Sequence, residues 1–160
     1  MSKFDLAKDV LLADEGGLSE AHADHGGLTK FGISSHSYPD LDIASLTEAD
    51  ARAIYERDYW HPLWNQLESQ ALATKLLVMS VNMGQQGTIV LLQQAVNDCR
   101  GHLKEDGLFG PGTLEAVNAL PESQLLLELR ARGILHYVTI ILRDPTQAVW
   151  ARGWIRRQLA

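Results

Sequence analysis

Glu15, Asp24 and Thr29 have the side-chain types that acid–base hydrolysis of a glycosidic bond requires. That reaction needs a proton donor beside the leaving oxygen and a second group that activates water or stabilises an oxocarbenium-like transition state. Glu15 follows a run from Phe4 to Asp14 in which Phe4, Leu6, Ala7, Val10, Leu11 and Leu12 sit mostly at helical spacing, and Gly16-Gly17 then offers a helix stop. At a helix C-terminus the unsatisfied carbonyls carry partial negative charge, which raises a carboxyl pKa and keeps the group protonated as an acid. Asp24 falls in the following loop, where Gly26-Gly27 lets the chain turn back and expose backbone, and the Thr29 hydroxyl can hold a water. By residue type alone, a Glu-Gly-Gly run at a helix end is also an ordinary structural cap.

The elements that must position these residues are mainly helical, because Ala, Leu, Gln, Glu and Arg fill long stretches at helical spacing. After the first helix, Leu18 to Ser37 is rich in Gly, Ser, His and Asp around Thr29–Ser34, a pattern that predicts a small hairpin or irregular loop. Thr47 with Asp50 three residues on predicts a capped helix running through Ala51, Ile54 and Tyr55 towards Trp60. Further helices are expected over Gln70–Met83 and Thr88–Cys99. A turn at Glu105–Gly112 then leads to a short helix capped by Thr113, Glu122–Leu142 follows, and a last helix carries Trp150 and Trp154. No Ser-, Pro- or Gly-rich linker divides the chain, so one domain of two lobes is expected over residues 1–160.

Tyr38, Tyr59, Trp60 and Trp64 cluster in sequence near the proposed cleft, and aromatic faces stack on sugar rings. Tyr55 and Trp60 fall on one face of an amphipathic helix and are expected in the core; Tyr38, Tyr59 and Trp64 are the candidate substrate contacts. Asn82, polar on an apolar helix, must be hydrogen-bonded either to backbone or to a substrate acetamido group, and it joins the candidates. His22, Asp24 and His25 lack further partners at ligand spacing, so no metal and no cofactor is expected. Cys99 sits in an apolar helical pattern and reads as a buried small hydrophobe.

With 160 residues, 46% of them hydrophobic, the chain can bury one sizeable core. Its net charge of -6 argues against a nucleic-acid partner. The far end is locally basic: Arg130, Arg132, Arg143, Arg152, Arg156 and Arg157 face only Asp144, which suits an anionic polymer such as the cell wall or a solvated helix face. One cysteine allows no intramolecular disulfide, and the first residues lack the apolar segment of a signal peptide or membrane span. A monomer without stable membrane insertion is expected, made in the cytoplasm and carried to any outside target by other means.

The spacing E-x8-D-x4-T resembles the E-x8-D-x5-T pattern of phage-type lysozymes, one residue shorter between Asp and Thr. A closer resemblance is to glycoside hydrolase family 108, whose members include phage endolysins and secretion-activator muramidases. It rests on Glu15-Gly16-Gly17, Asp24-x-Gly26-Gly27-x-Thr29-x-x-Gly32-Ile33, Leu46-Thr47 with Ala51, Ile54-Tyr55, Tyr59-Trp60 and Asn82-x-Gly84, over about residues 4–90. The chain departs from the family at Leu18, where an aromatic is common, and over Ser19–Ala23. From about 91 to 157 it resembles the family's associated peptidoglycan-binding segment, through Leu92-Gln93-Gln94, Asp106-Gly107-x-x-Gly110-Pro111-x-Thr113 and Gly153-Trp154.

The resemblance implies a lysozyme-like fold with a small β-hairpin near the site, Glu15 as the catalytic acid, and peptidoglycan glycan strands as partner. The reaction so implied is hydrolysis between N-acetylmuramic acid and N-acetylglucosamine, with holin-dependent release if the gene is a phage's. Asp24 as base and Thr29 as water-holder match the inverting, wider-spaced arrangement of phage-type lysozymes. A lytic transglycosylase, or a wall-binding or secretion-assisting module without hydrolysis, remains open.

Overall fold

The computed structural model describes residues 3–14, 22–24 and 27–160. Seven α-helices are described: α1 Lys3–Asp14, α2 Glu48–Asp58, α3 Gln70–Met83, α4 Gln85–Asp98, α5 Pro111–Asn118, α6 Glu122–Arg143 and α7 Ala151–Leu159. Between α1 and α2 lie three short antiparallel strands in the order β1 (His22–Asp24), β2 (Gly27–Lys30) and β3 (Ile33–Ser34). Single 3-10 turns occupy Ile43–Ser45, Pro62–Gln66 and Pro145–Trp150.

Local chemistry sets most boundaries. Thr47 and Asp50 form a reciprocal capping box, with Asp50 N–H donating to Thr47 Oγ1 at 3.2 Å and Thr47 N–H to Asp50 Oδ2 at 2.9 Å. Ser69 caps α3 by accepting from Leu72 N–H at 2.9 Å. Gly84, at φ 83, closes α3 and opens α4, a left-handed corner that glycine adopts at least cost.

Three sequence expectations are corrected at element ends. α4 starts at Gln85 rather than Thr88, whose hydroxyl donates back to the Gly84 carbonyl at 2.9 Å. The cap of α5 is Gly110, not Thr113, because Pro111 takes the first helical position, where its missing N–H costs nothing; Thr113 is buried one turn in. Trp150 lies in the Pro145–Trp150 turn, exposed, while Trp154 alone rides on α7 and stacks on Tyr137 with centroids 4.8 Å apart.

The core is one continuous buried cluster from Phe4 to Leu129. α3 sits at its centre, with Leu72, Ala73, Leu76, Leu77, Val78 and Met79 buried, and α1 and α4 pack on it. Each large side chain fully buried there stabilises the fold by about 1.5–3 kcal/mol relative to exposure. α6 packs on α4, and α7 folds back on α6. That last contact is close because Gly133 faces the fully buried Gln158; a Cβ at 133 would lie 2.3 Å from Gln158 Oε1. Lys75 is also buried, and its Nζ donates to the carbonyls of Arg157 at 2.6 Å and Gln158 at 2.7 Å. It thus places a cation on the last turn of α7, where the helix dipole is negative.

Candidate active site

Glu15 lies outside the described residues, as do Gly16, Gly17, His25 and Gly26. The helix that leads to it is firmly held at its other end. Phe4 and Ala7 are fully buried, and Phe4 meets Trp60 edge-on with centroids 5.4 Å apart. Arg52 Nη2 donates to Asp5 Oδ1 at 2.6 Å, and Gln70 Nε2 donates to the Lys3 carbonyl at 2.9 Å. α1 is therefore tied to α2 and α3, and its last residue, Asp14, immediately precedes Glu15.

Asp24 and Thr29 belong to one ladder. Asp24 pairs with Gly27 and His22 pairs with Thr29, so Asp24 and Thr29 occupy register positions two residues apart on adjacent strands. Diagonal positions of this kind are separated by about 7–8 Å between backbones. The sequence placed Asp24 on a loop; it is instead the last residue of a strand. β2 and β3 are joined by the two-residue turn Phe31-Gly32, both at positive φ (53 and 74), with Lys30 paired to Ile33. Successive positive φ values match a type I′ turn, the one whose twist suits a hairpin.

Phenylalanine is an uncommon residue at positive φ, and two contacts hold it there. Its side chain is buried, and its carbonyl accepts a 2.6 Å hydrogen bond from the Tyr55 hydroxyl of α2. Lys30 Nζ adds a 2.9 Å bond to the Ala44 carbonyl. The hairpin is thus anchored to α2 and to the Ile43–Ser45 turn. Tyr55 was expected in the core from its helical position, and it is there, 1% exposed; its role as the hairpin's anchor was not visible, although the Phe31-Gly32 pair was a turn signal.

Tyr38 and Tyr59 are half-buried neighbours. The Tyr38 hydroxyl donates to Asp58 Oδ2 at 2.8 Å and lies 3.4 Å from the Tyr59 hydroxyl. Burial, and then its bonds to Tyr59 and Asp58, raise the Tyr38 pKa well above the ordinary phenol value. Asp58 also receives two 2.6 Å bonds from Arg57, which hold its carboxyl below the usual range. Arg57 and Asp58 had no place in the sequence expectations, since adjacent charges on a helix look like solvated surface.

Trp64 is corrected. It is 0% exposed, packed edge-on against Trp60 at 5.4 Å and against Phe109 at 6.3 Å, so it offers no face to a sugar. The amide of Asn82 has internal partners: Nδ2 donates to the Val78 carbonyl at 2.7 Å and Oδ1 accepts from Arg157 Nη1 at 3.2 Å. The backbone alternative thus accounts for Asn82 without a substrate. Cys99 is buried, as its pattern predicted, and burial raises its thiol pKa.

Residues 8–84 match the family described as Glycosyl hydrolase 108, and residues 87–159 match the one described as Predicted Peptidoglycan domain. No curated protein matches the sequence. Among solved structures the chain is similar to SagA of Brucella abortus, at 24% identity and a TM-score of 0.74, covering 97% of this chain and 88% of that one. The fold is accordingly the expected one, mainly α and lysozyme-like with a small β-hairpin.

Proposed function

We propose, from a chain whose residues 8–84 match the Glycosyl hydrolase 108 family and whose residues 87–159 match a peptidoglycan domain family, that the protein is an endolysin-type muramidase. The bond cleaved joins N-acetylmuramic acid to N-acetylglucosamine. The observation that carries this reading is the coincidence of the glycosidase match with the stretch that contains Glu15, Asp24 and Thr29. Two matched segments, one of a glycosidase family and one named for peptidoglycan, make a cell-wall polymer the natural substrate class.

In this mechanism Glu15 protonates the glycosidic oxygen as the bond to the leaving sugar breaks. Asp24 takes a proton from a water held by Thr29, and that water attacks the anomeric carbon from the opposite face, inverting it. An inverting enzyme needs its carboxyls about 6.5–9.5 Å apart, against about 5–5.5 Å for a nucleophilic one. Asp24 on a hairpin and Glu15 after a helix come from separate elements, which suits the wider case. Tyr38 and Tyr59, half-buried beside Asp58, remain candidates for sugar contacts. The protein would be made in the cytoplasm and reach the wall once the membrane is breached, by a holin if the gene belongs to a phage.

The test is Glu15→Gln on purified sacculi, with circular dichroism to confirm folding and mass spectrometry of the wild-type products. Loss of lysis in the folded variant, with reducing N-acetylmuramic ends from the wild type, is expected. Anhydro-muramic ends would replace hydrolysis with transglycosylation, and lysis by Glu15→Gln at the wild-type rate would remove Glu15 as the acid. A wild type inert on every sacculus preparation would leave a binding module.

A further inference from the structure

α6 turns Leu125, Leu126, Leu129, Gly133 and Tyr137 inward, and its opposite side should by the usual logic of a surface helix be polar. It is apolar instead. Leu127, Ala131, Ile134, Val138 and Ile141 follow one another there at steps of four, three, four and three residues, with Leu135 and Leu142 directly beside them. Leu127 is 63% exposed, Leu135 55% and Leu142 77%, a run of large side chains that a helix facing only water does not carry. No charged residue interrupts the stripe.

The spacing repeats every seven residues, the period with which one helix meets another, so the shape calls for a helical occupant. Charge on the flank beside α4 says which helix. Glu128, Arg132 and Arg143 share that flank: Glu128 acts electrostatically on Cys99 and Arg132, and Arg132 and Arg143 line the groove between α6 and α4. Arg132 is already bound to Asp98 through two 2.6 Å bonds, which leaves an acid near the start of the stripe and a base at its end. Two copies of α6 laid antiparallel, with Ala131 opposite Ile141 and Ile134 opposite Val138, bring Glu128 of each copy beside Arg143 of the other, and Arg132 beside Thr139. A parallel pair would set Glu128 on Glu128 and Arg143 on Arg143. The antiparallel pair also opposes the two helix dipoles. A saccharide would find no hydrogen-bonding side chain within the stripe, and an anionic bilayer would meet Glu128 at its edge.

We infer that the outer face of α6 is a docking surface for a second copy of this chain, paired antiparallel about a two-fold axis. Such an axis lets one patch serve both copies, which is what a stripe with complementary ends requires. The pairing goes beyond the wall-polymer reading and does not depend on it, and it departs from the monomer expected from the sequence. From Leu127 to Leu142 the stripe is about 22 Å long and about 10 Å across, a small interface that falls below the roughly 800 Å² per partner of a stable complex. The pair is therefore reversible, with a dissociation constant on the order of 100 µM.

The test is sedimentation equilibrium of the full chain over concentrations that bracket this value, with circular dichroism of each variant. Wild type should pass from monomer to dimer. Val138→Glu, at an exposed position outside the core, keeps the helix and should weaken the pair by about tenfold or more, because two carboxylates then face the apolar layer. Glu128→Arg and Arg143→Glu should each weaken it by about threefold or more. The two together should restore it, since the exchange keeps every facing pair opposite in sign, a rescue that an unspecific apolar patch does not give. The inference is overturned by a wild type that stays monomeric throughout, by growth beyond the dimer, by Val138→Glu dimerising as the wild type does, or by a double variant no stronger than its parents. It is equally overturned if the wild type binds vesicles of anionic phospholipid while remaining monomeric in solution. None of these readouts involves bond cleavage, so a failed lysis assay leaves the result intact.

Discussion

Tyr55→Phe isolates one atom. The hydroxyl oxygen leaves while the ring, 1% exposed, keeps its packing, so the change removes the 2.6 Å bond to the Phe31 carbonyl. Losing a buried partner in this way costs about 1–3 kcal/mol. Phe31 at φ 53 makes the loss local, because the left-handed conformation itself costs a non-glycine residue about 1–2 kcal/mol, and this bond is one of the contacts that offset it. For a chain of this size each kcal/mol moves the midpoint by about 2–4 °C, so Tm should fall by about 2–12 °C. The β2–β3 turn should loosen before the rest, and with it β2, the strand that carries Thr29 and pairs with the Asp24 strand. The measurement pairs a thermal melt with hydrogen exchange at Lys30–Ile33 and lysis of sacculi at a temperature where both proteins are folded. Faster exchange confined to the hairpin, with lysis reduced beyond the unfolded fraction, is expected. Unchanged exchange at those amides would refute the anchoring argument even if Tm fell.

Gly133→Ala should destabilise the α6–α7 pair by about 1–3 kcal/mol through overpacking against Gln158, despite alanine's better helix propensity. Gly133→Ala with Gln158→Ala should recover most of that loss in denaturant melts; equal melts for the single and double variants would show that the close approach carries no energy. Asp98 has its carboxyl pKa lowered, first by hydrogen bonds from Arg132, so the stabilisation is present above the unfolded carboxylate's value near pH 4 and lost as pH falls through the lower folded value. Asp98→Asn should therefore flatten the acid limb of the stability curve below about pH 4; an acid limb identical to the wild type's would count against the pair, which is about one-third exposed on each side and therefore a modest contributor.

What could be read from the sequence depended on how far apart the deciding atoms lie along the chain. α3 ran over the expected Gln70–Met83, and the Thr47–Asp50 box stood where the spacing put it, because a helix period and a cap are settled within a few residues. Trp64 went wrong for the complementary reason. Its neighbours Tyr59 and Trp60 are equally aromatic, and the Pro62–Gln66 turn, at about three residues per turn, swings Trp64 inward onto Trp60 and Phe109. The contact with Phe109 crosses the boundary between the two matched segments, and nothing local announces it. Thr113 lost the cap of α5 to Gly110 because Pro111 fixed the first helical residue, a competition between two legitimate start signals. The proposed catalytic residues Glu15, Asp24 and Thr29 are legible for the same local reason as the caps, since they are close enough in sequence to form a recognisable spacing. The Lys30–Ala44 and Tyr55–Phe31 bonds that anchor the hairpin of the last two come instead from packing between elements 14 and 24 residues apart, and no local pattern announces them.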